Sequence, residues 1–261
     1  MSEVKTIIIE ELKKIEREEN VRILYACESG SRAWGFPSKD SDYDVRFLYI
    51  RPLDWYLSIF EKRDVIERPI SNMLDINGWD LKKALNLFRK SNPPLLEWLQ
   101  SPIVYMEDEI VVRQIRDISS FMFSPKSCMH HYLHMAKGNY RDYLQGDHVK
   151  IKKYFYVLRP VLACEWIERF HTIPPIEFLI LMETLLPEEG LLRAAVDDLL
   201  VRKRAGDEMD YGPRIQPINE FLEERISYYE QVVSGIEAAE GGQDGRLDEL
   251  FRTLVKLQEW V

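Results

Sequence analysis

The sequence predicts an α+β fold, in which a small mixed β-sheet backed by helices is followed by an α-helical region. Three observations lead to this prediction. Short apolar runs bounded by polar turns lie between residues 21 and 76, amphipathic segments flank them, and from about residue 107 onward apolar residues recur at helical spacing. We therefore predict a boundary between a domain of residues 1–106 and a helical domain of residues 107–261.

The first domain is predicted to begin with an amphipathic helix, because apolar residues from Val4 to Ile15 recur three and four positions apart. Four short apolar strands follow, at residues 21–26, 44–50, 65–70 and 73–76. A helix is then expected from Asp80 to Lys90, with its apolar residues on one face. This order of elements is what a small mixed sheet backed by helices requires.

The second domain is predicted to be helical throughout, an inference that rests on the spacing of its apolar residues. The expected helices lie at residues 108–120, 125–145, 149–170, 175–186, 188–205, 215–234 and 247–260.

Composition limits the kinds of partner. The 261 residues are 46% hydrophobic and 30% charged, as in ordinary globular proteins, and no apolar run approaches the ~20 residues that span a bilayer. The net charge of −9 argues against extended contacts with duplex nucleic acid, but it allows a nucleotide, a small molecule or a short RNA end. Three scattered cysteines do not predict a disulfide framework, so we expect a cytoplasmic protein. We expect no membrane partner, because no apolar run is long enough to span a bilayer.

The most informative stretch runs from Tyr25 to Ile50. Asp42 and Asp44 are two positions apart at the start of a predicted strand, so their side chains should point the same way. Paired carboxylates of this kind suit Mg²⁺, because they supply hard oxygen ligands and leave room for phosphate oxygens. The preceding Gly30-Ser31 turn offers backbone N–H groups and a hydroxyl to those phosphates. Asp and Ser also populate ordinary turns, but the coupling of both features favours a metal-dependent phosphoryl-transfer site.

Gly30-Ser31, followed eleven positions later by Asp42-x-Asp44, resembles the motif of the DNA polymerase β-like nucleotidyltransferase superfamily. The longer strings Glu28–Phe36 and Ser41–Arg46 are similar to a bacterial group of predicted nucleotidyltransferases, some members of which are associated with RNA repair. The similarity continues through further short segments and covers most of the first 175 residues. These segments are Gly78–Leu81, Ser91–Pro93, Glu97–Leu99, Lys152–Phe155 and Leu158–Pro160.

The resemblance implies that residues 1–106 form a nucleotidyltransferase catalytic domain and that residues 107–261 form a helical domain that binds substrate or nucleotide. Two Mg²⁺ ions, which Mn²⁺ can replace, are expected at Asp42 and Asp44, and the nucleotide is an NTP, with ATP as the expected one. Gly30 and Ser31 are expected to hold its phosphates.

A third carboxylate is usual in two-metal phosphoryl transfer, and the chain offers Glu67, Asp75 and Asp80. Asp75 should project from a strand of the sheet, as the third acid of the superfamily does. Asp80 is better placed to cap a helix, and Glu67 precedes Arg68-Pro69, as an edge residue would. We therefore predict Asp75 as the third catalytic and metal-binding residue.

Basic residues complete the candidate site. Arg32 follows the serine and is a candidate phosphate contact, although it could equally be a solvated turn residue. Arg46 shares a face with both aspartates, and either a phosphate contact or an ion pair with the aspartates fits that position. Because a lysine of the helical domain closes on the triphosphate in this superfamily, the resemblance also makes Lys137, Lys152 and Lys153 candidates. Charge runs of this kind are also common on solvated helix faces.

The leading hypothesis is an enzyme that transfers a nucleoside monophosphate from an NTP to a hydroxyl acceptor and releases pyrophosphate. The acceptor could be an RNA end, a small molecule or a protein side chain. The alternative is a non-catalytic regulator that binds nucleotide in a retained polymerase β-like pocket.

Overall fold

The structure is a computed structural model that describes residues 3–71, 73–206, 211–235 and 244–257. The chain divides into two compact units. The first consists of Met1–Ala33, Asp42–Phe123 and Glu240–Val261, and the second of Trp34–Ser41 and Ser124–Ala239.

Mixed α and β elements make up the described chain, which confirms the predicted fold class. The strands are β1 (Arg22–Glu28), β2 (Tyr43–Ile50), β3 (Val65–Glu67), β4 (Leu74–Asp80), β5 (Val104–Glu107), β6 (His148–Lys150) and β7 (Tyr211–Pro213). The helices are α1 (Glu3–Glu19), α2 (Gly30–Ala33), α3 (Leu53–Tyr56), α4 (Leu81–Arg89), α5 (Pro93–Leu99), α6 (Glu109–Asp117), α7 (Ser119–Met122), α8 (Pro125–Tyr143), α9 (Lys153–Phe170), α10 (Phe178–Leu185), α11 (Leu191–Ala205), α12 (Gln216–Gly235) and α13 (Asp244–Leu257).

The first unit is built on a five-stranded sheet in the order β3-β4-β2-β1-β5. β2 and β4 are parallel, and the other neighbouring pairs are antiparallel. Side chains alternate across each strand, so Val45, Phe47 and Tyr49 of β2 enter a core that the buried face of α1 also lines. The intervening positions of β2, Asp44 and Arg46, consequently project from the other face of the sheet.

The structure corrects the single boundary expected after residue 106. β5, which was not predicted, pairs with β1 and therefore keeps the chain in the sheet through residue 107. α6 then packs against β1, and near the end of the chain α13 packs against α4. The unit that contains the five-stranded sheet therefore includes residues 107–123 and the last described helix. The end of the predicted helix 247–260 lies outside the described residues.

The second unit has α8 and α9 packed together, with α12 against both. It also contains a two-stranded sheet of β6 and β7, which corrects the prediction that a helix begins at residue 149. Val149 is buried in β6, and α9 begins only at Lys153.

The segment Trp34–Ser41 belongs to this helical unit, although it connects the two halves of the predicted motif. Its Phe36 is buried, with its ring stacked on Phe155 at 4.6 Å and edge-on to Phe178 at 5.5 Å. The backbone N–H of Phe178 donates to the carbonyl oxygen of Trp34 at 3.0 Å. Helices of the second unit therefore fix the path of this segment.

Among the residues that the structure describes, no helix is both long enough and apolar enough to cross a membrane. The three cysteines, Cys27, Cys128 and Cys164, are buried free thiols.

Candidate active site

Two carboxylates meet where the parallel strands of the sheet begin. In the register of β2 with β4, Asp44 is the direct partner of Asp75. Leu74 and Ile76 on either side of Asp75 are buried in the core, as is Val45 beside Asp44. Because paired residues of neighbouring strands share a face, both carboxylates project from the side of the sheet opposite that core.

Arg46 joins these two carboxylates. One of its terminal nitrogens, Nη2, lies 3.1 Å from Oδ1 of Asp44 and 2.7 Å from Oδ2 of Asp75. The other, Nη1, donates to the backbone carbonyl oxygens of Val45 and Asp75 at 3.1 and 2.8 Å. Of the two interpretations of Arg46 in the sequence analysis, the ion pair is therefore present in the structure.

The electrostatic balance at Asp44 is unfavourable to its charged form. Burial is the largest cause that raises the pKa of this carboxyl, and the charges of Asp75 and Asp42 raise it further. Arg46 and Arg32 act in the opposite direction without cancelling the shift. The shift is therefore due mainly to burial, and an additional positive charge nearby would favour the charged form of Asp44.

Gly30 packs directly against the Asp44 carboxylate. A Cβ atom at this position would lie 2.0 Å from Oδ2 of Asp44, and the glycine has a φ of +58°, where other residues are strained. The backbone N–H of Ser29 also donates to the carbonyl oxygen of Asp44 at 2.8 Å. Gly30 and Ser31 begin the short helix α2, so the position needs glycine because the start of α2 lies against the side chain of Asp44 in β2.

Asp42 and Arg32 lie beside this pair. Asp42 is exposed and immediately precedes β2, and its charge contributes to the raised pKa of Asp44. Nε of Arg32 donates to the backbone carbonyl oxygen of Asp42 at 3.1 Å, and its guanidinium lies 3.8 Å from the ring centroid of Tyr43. Arg32 is thus held against the backbone of the motif, and its contact with phosphate remains a prediction.

Glu28, for which no role was predicted, holds the backbone of Asp44 in place. Its buried carboxylate accepts the backbone N–H of Asp44 at 2.7 Å through Oε1 and the hydroxyl of Tyr105 through Oε2. Burial raises the pKa of Glu28 although both hydrogen bonds favour its charged form. The available signal was an acidic residue at the end of the apolar run Ile23–Cys27.

Asp80 and Glu67, the other two candidates for the third carboxylate, have partners elsewhere. Asp80, at the far end of β4, accepts the backbone N–H of Lys82 at 2.8 Å as the N-cap of α4, and it accepts the hydroxyl of Tyr56 at 2.9 Å. Glu67 lies on the edge strand β3 and pairs with Arg63. The predicted strand around Asp75 is present, and of the three candidates Asp75 is the one paired with Asp44.

The candidate site contains fewer protein ligands than a metal site built from side chains alone would need. Within the described ranges, no group of three or more His, Cys, Asp or Glu side chains is arranged to hold a metal ion. Mg²⁺ is commonly held in proteins by one or two carboxylates, with waters and substrate phosphates as its other ligands. Asp44 and Asp75 supply two such carboxylates, and both already contact a positively charged group, the guanidinium of Arg46. The residues present therefore fit a hard cation that takes its other ligands from water and from the phosphates of a nucleotide.

The three candidate lysines lie in the helical unit. Lys137 forms an ion pair with Glu230. Lys152 immediately precedes α9, and Nζ of Lys153 lies 4.5 Å from the ring centroids of both Tyr143 and Tyr156. Their assignment to the triphosphate remains a prediction.

This chain is similar to a protein family and to individual proteins. A family model described as RlaP, the RNA repair pathway DNA polymerase beta family, matches residues 4–253. The uncharacterized protein YcgL of Bacillus subtilis (strain 168) is 51% identical over 253 residues, which are 97% of each chain. A nucleotidyltransferase-like protein from Exiguobacterium sibiricum 255-15, known from a crystal structure, is 12% identical with a TM-score of 0.31. That alignment covers 96% of this chain and 89% of the other.

Proposed function

Because this chain belongs to the RNA repair pathway DNA polymerase beta family, we propose that it transfers a nucleoside monophosphate from an NTP to a hydroxyl acceptor. The pairing of Asp44 with Asp75 on adjacent parallel strands is the observation that carries this proposal. It puts two carboxylates on one face, next to the glycine turn that the motif requires. Two Mg²⁺ ions, or Mn²⁺ in their place, are the proposed cofactors, with ATP as the expected NTP.

The proposed reaction forms a bond between the acceptor oxygen and the α-phosphorus and breaks the bond between the α-phosphorus and the oxygen bridging to the β-phosphate. Pyrophosphate leaves, and the acceptor hydroxyl gives its proton to the carboxylate of Asp75. When bound, Mg²⁺ would neutralise charge on the attacking and leaving oxygens. Asp42, Asp44 and Asp75 would hold the metal ions.

The remaining residues position these groups. Gly30 and Ser31 are proposed to bind the β- and γ-phosphates through backbone N–H groups and a hydroxyl, with Arg32 beside them. Glu28 fixes the backbone of Asp44, and Arg46 limits the repulsion between Asp44 and Asp75 before a cation binds. We propose an RNA end as the acceptor, in keeping with the family to which the chain belongs.

Label transfer tests the proposal. The protein would be incubated with each NTP radiolabelled at the α-phosphate, in Mg²⁺, with RNA ends, candidate small molecules or cell extract. We expect label to move to an acceptor in the presence of the wild-type chain and to remain in NTP with Asp44→Asn. Saturable binding of Mg·NTP without transfer to any acceptor would contradict the enzyme and support a nucleotide-binding regulator.

A further inference from the structure

A group of tyrosines and lysines on the helical unit forms a second cluster of functional side chains. We call it the Tyr–Lys surface. Its tyrosines are large aromatic residues left in contact with solvent, with 37%, 44% and 70% of their surface exposed for Tyr143, Tyr156 and Tyr211, respectively. Its lysines are Lys150, Lys152 and Lys153.

The ammonium group of Lys153 lies between two rings of this surface. Nζ of Lys153 lies 4.5 Å from the ring centroid of Tyr143 and equally far from that of Tyr156, so the two rings flank it. Nζ of Lys150 lies 5.9 Å from the Tyr143 ring. The rings thus hold two cations near one another while keeping part of their own surface exposed.

The small sheet of the helical unit adds a third ring. Lys150 of β6 is the register partner of Tyr211 of β7, so the two side chains leave the sheet on the same face. The neighbouring pair, Val149 with Gly212, faces the other way, and Val149 is buried. Lys150 and Tyr211 therefore project away from the core of the unit.

The electrostatics of the surface favour an anionic ligand. Burial, followed by the charges of Lys150 and Lys152, lowers the pKa of Lys153. Three like charges are thus held together in a chain whose net charge is −9. A phosphate group bound among them would relieve their repulsion.

We propose that the Tyr–Lys surface binds a single-stranded segment of the RNA acceptor. This inference rests on the proposed function for its choice of acceptor. Lysines neutralise backbone phosphates, and exposed aromatic rings stack on unpaired bases whatever their sequence. Three separate rings fit several consecutive nucleotides better than the single base of an NTP.

The lysines are tested by fluorescence anisotropy with the full chain, a labelled short oligouridylate and EDTA, without NTP. The wild-type chain is expected to bind with a slope of log affinity against log salt of about −2, since three phosphates of a single strand are neutralised. Combined Lys150→Gln, Lys152→Gln and Lys153→Gln should weaken binding about tenfold or more and bring the slope close to zero.

The tyrosines are tested one at a time against a matched substitution. Tyr143→Leu, Tyr156→Leu and Tyr211→Leu are each expected to weaken binding about tenfold, because base–aromatic stacking contributes on that order per base. The corresponding Tyr→Phe variants keep the aromatic face and should bind like the wild type. Circular dichroism of every variant checks that the fold is retained.

A charge-matched control uses Lys13→Gln, Lys14→Gln and Lys256→Gln together, on exposed positions of α1 and α13. This control should bind like the wild type, and an equal loss in both triple variants would overturn the proposal. The proposal would also be overturned if the wild-type chain bound a self-complementary duplex as tightly as the single strand. It would be overturned as well if variants of Lys150, Lys152 and Lys153 lost NTP binding but kept RNA affinity, because these lysines would then bind the nucleotide.

The two proposals fail in different experiments. A chain that binds oligouridylate through this surface but never transfers label contradicts the proposed function and supports this inference. A chain that transfers label while both triple lysine variants bind RNA alike supports the function and overturns the inference.

Discussion

Asp44 and Asp75 are direct partners across the parallel strands β2 and β4, and a single nitrogen of Arg46 contacts both carboxylates. Two acidic side chains facing the same side of a sheet repel each other, and the charge of Arg46 lowers the pKa of Asp44 by more than the charge of Asp75 raises it. Burial, the largest cause, nevertheless leaves the pKa of Asp44 raised. A further positive charge beside the pair would favour the charged form of Asp44.

Asp44→Asn should abolish label transfer and the metal-supported binding of NTP. Asparagine has nearly the same shape, so it fits beside Gly30, but it replaces a charged ligand by a neutral one. Transfer assays and NTP titrations with Mg²⁺ measure the effect, and circular dichroism checks the fold. An unfolded variant would show that Asp44 is structural, and transfer at the wild-type rate would refute its assigned role.

Asp75→Asn should lower the rate of transfer by a factor of about 10²–10⁴, the typical cost of removing a general base, while NTP affinity stays within roughly tenfold. The matched control is Asp80→Asn, which should be mild in both respects because asparagine caps a helix about as well as aspartate. Single-turnover rates and nucleotide binding are measured on both variants. An inactive Asp80→Asn beside an active Asp75→Asn would move the third acid to the start of α4.

Gly30→Ala should strongly reduce transfer, because its Cβ would displace the carboxylate of Asp44 from a position only 2.0 Å away. Gly35→Ala separates this effect from backbone strain. Gly35 also has a positive φ, of +90°, but an added Cβ there meets no described atom within 4 Å. Both variants should lose stability, of order 1 kcal/mol from the strained backbone, and only Gly30→Ala should lose activity. Equal activities of the two variants would count against the close approach of Gly30 to Asp44.

Asp80 gives the stability of the chain a specific pH dependence. Burial raises the pKa of this carboxyl, so the folded chain holds its proton more tightly than the unfolded chain does. The contribution of Asp80 to the free energy of unfolding therefore falls as pH rises from the ordinary aspartate pKa, about 3.9, through the raised value. Asp80→Asn lacks this contribution, so relative to the wild type it should gain stability over that interval. Urea denaturation of both chains across the interval tests this, and a constant difference between them would contradict it.

The strands that carry the candidate site could be predicted because their residues alternate visibly. In β4 the buried Leu74 and Ile76 alternate with Asp75, and at the start of β2 the buried Val45 lies between Asp44 and Arg46. The rest of β2, residues 47–50, is a continuous apolar run and is buried. Asp80 was correctly predicted as a helix cap. The match of the family model to residues 4–253 confirms the family resemblance carried by Gly30-Ser31 and Asp42-x-Asp44.

Other features depend on contacts that local patterns do not contain. β5 has four residues, of which only Tyr105 is buried, so it shows no clear strand pattern. It also follows Ser101-Pro102, a pair that indicates the end of a sheet. The role of Glu28 requires Tyr105, which is 77 positions away. β6 and β7 have three residues each, which is too short to show a strand periodicity. They pair with each other although α9, α10 and α11 lie between them in the sequence.

The burial of Phe36 has a consequence for the order in which the site forms during synthesis. Residues 34–41 join Gly30-Ser31 to Asp42, but the ring of Phe36 packs on Phe155 and Phe178, which belong to the second half of the chain. A ribosome releases the N-terminal residues first, so the sheet can form while this connection still lacks its anchors. The nascent chain would then carry Asp44 and Asp75 in register before the segment leading to Asp42 is fixed. The connection from Gly30-Ser31 to Asp42 would take its final path only once α9 and α10 have emerged.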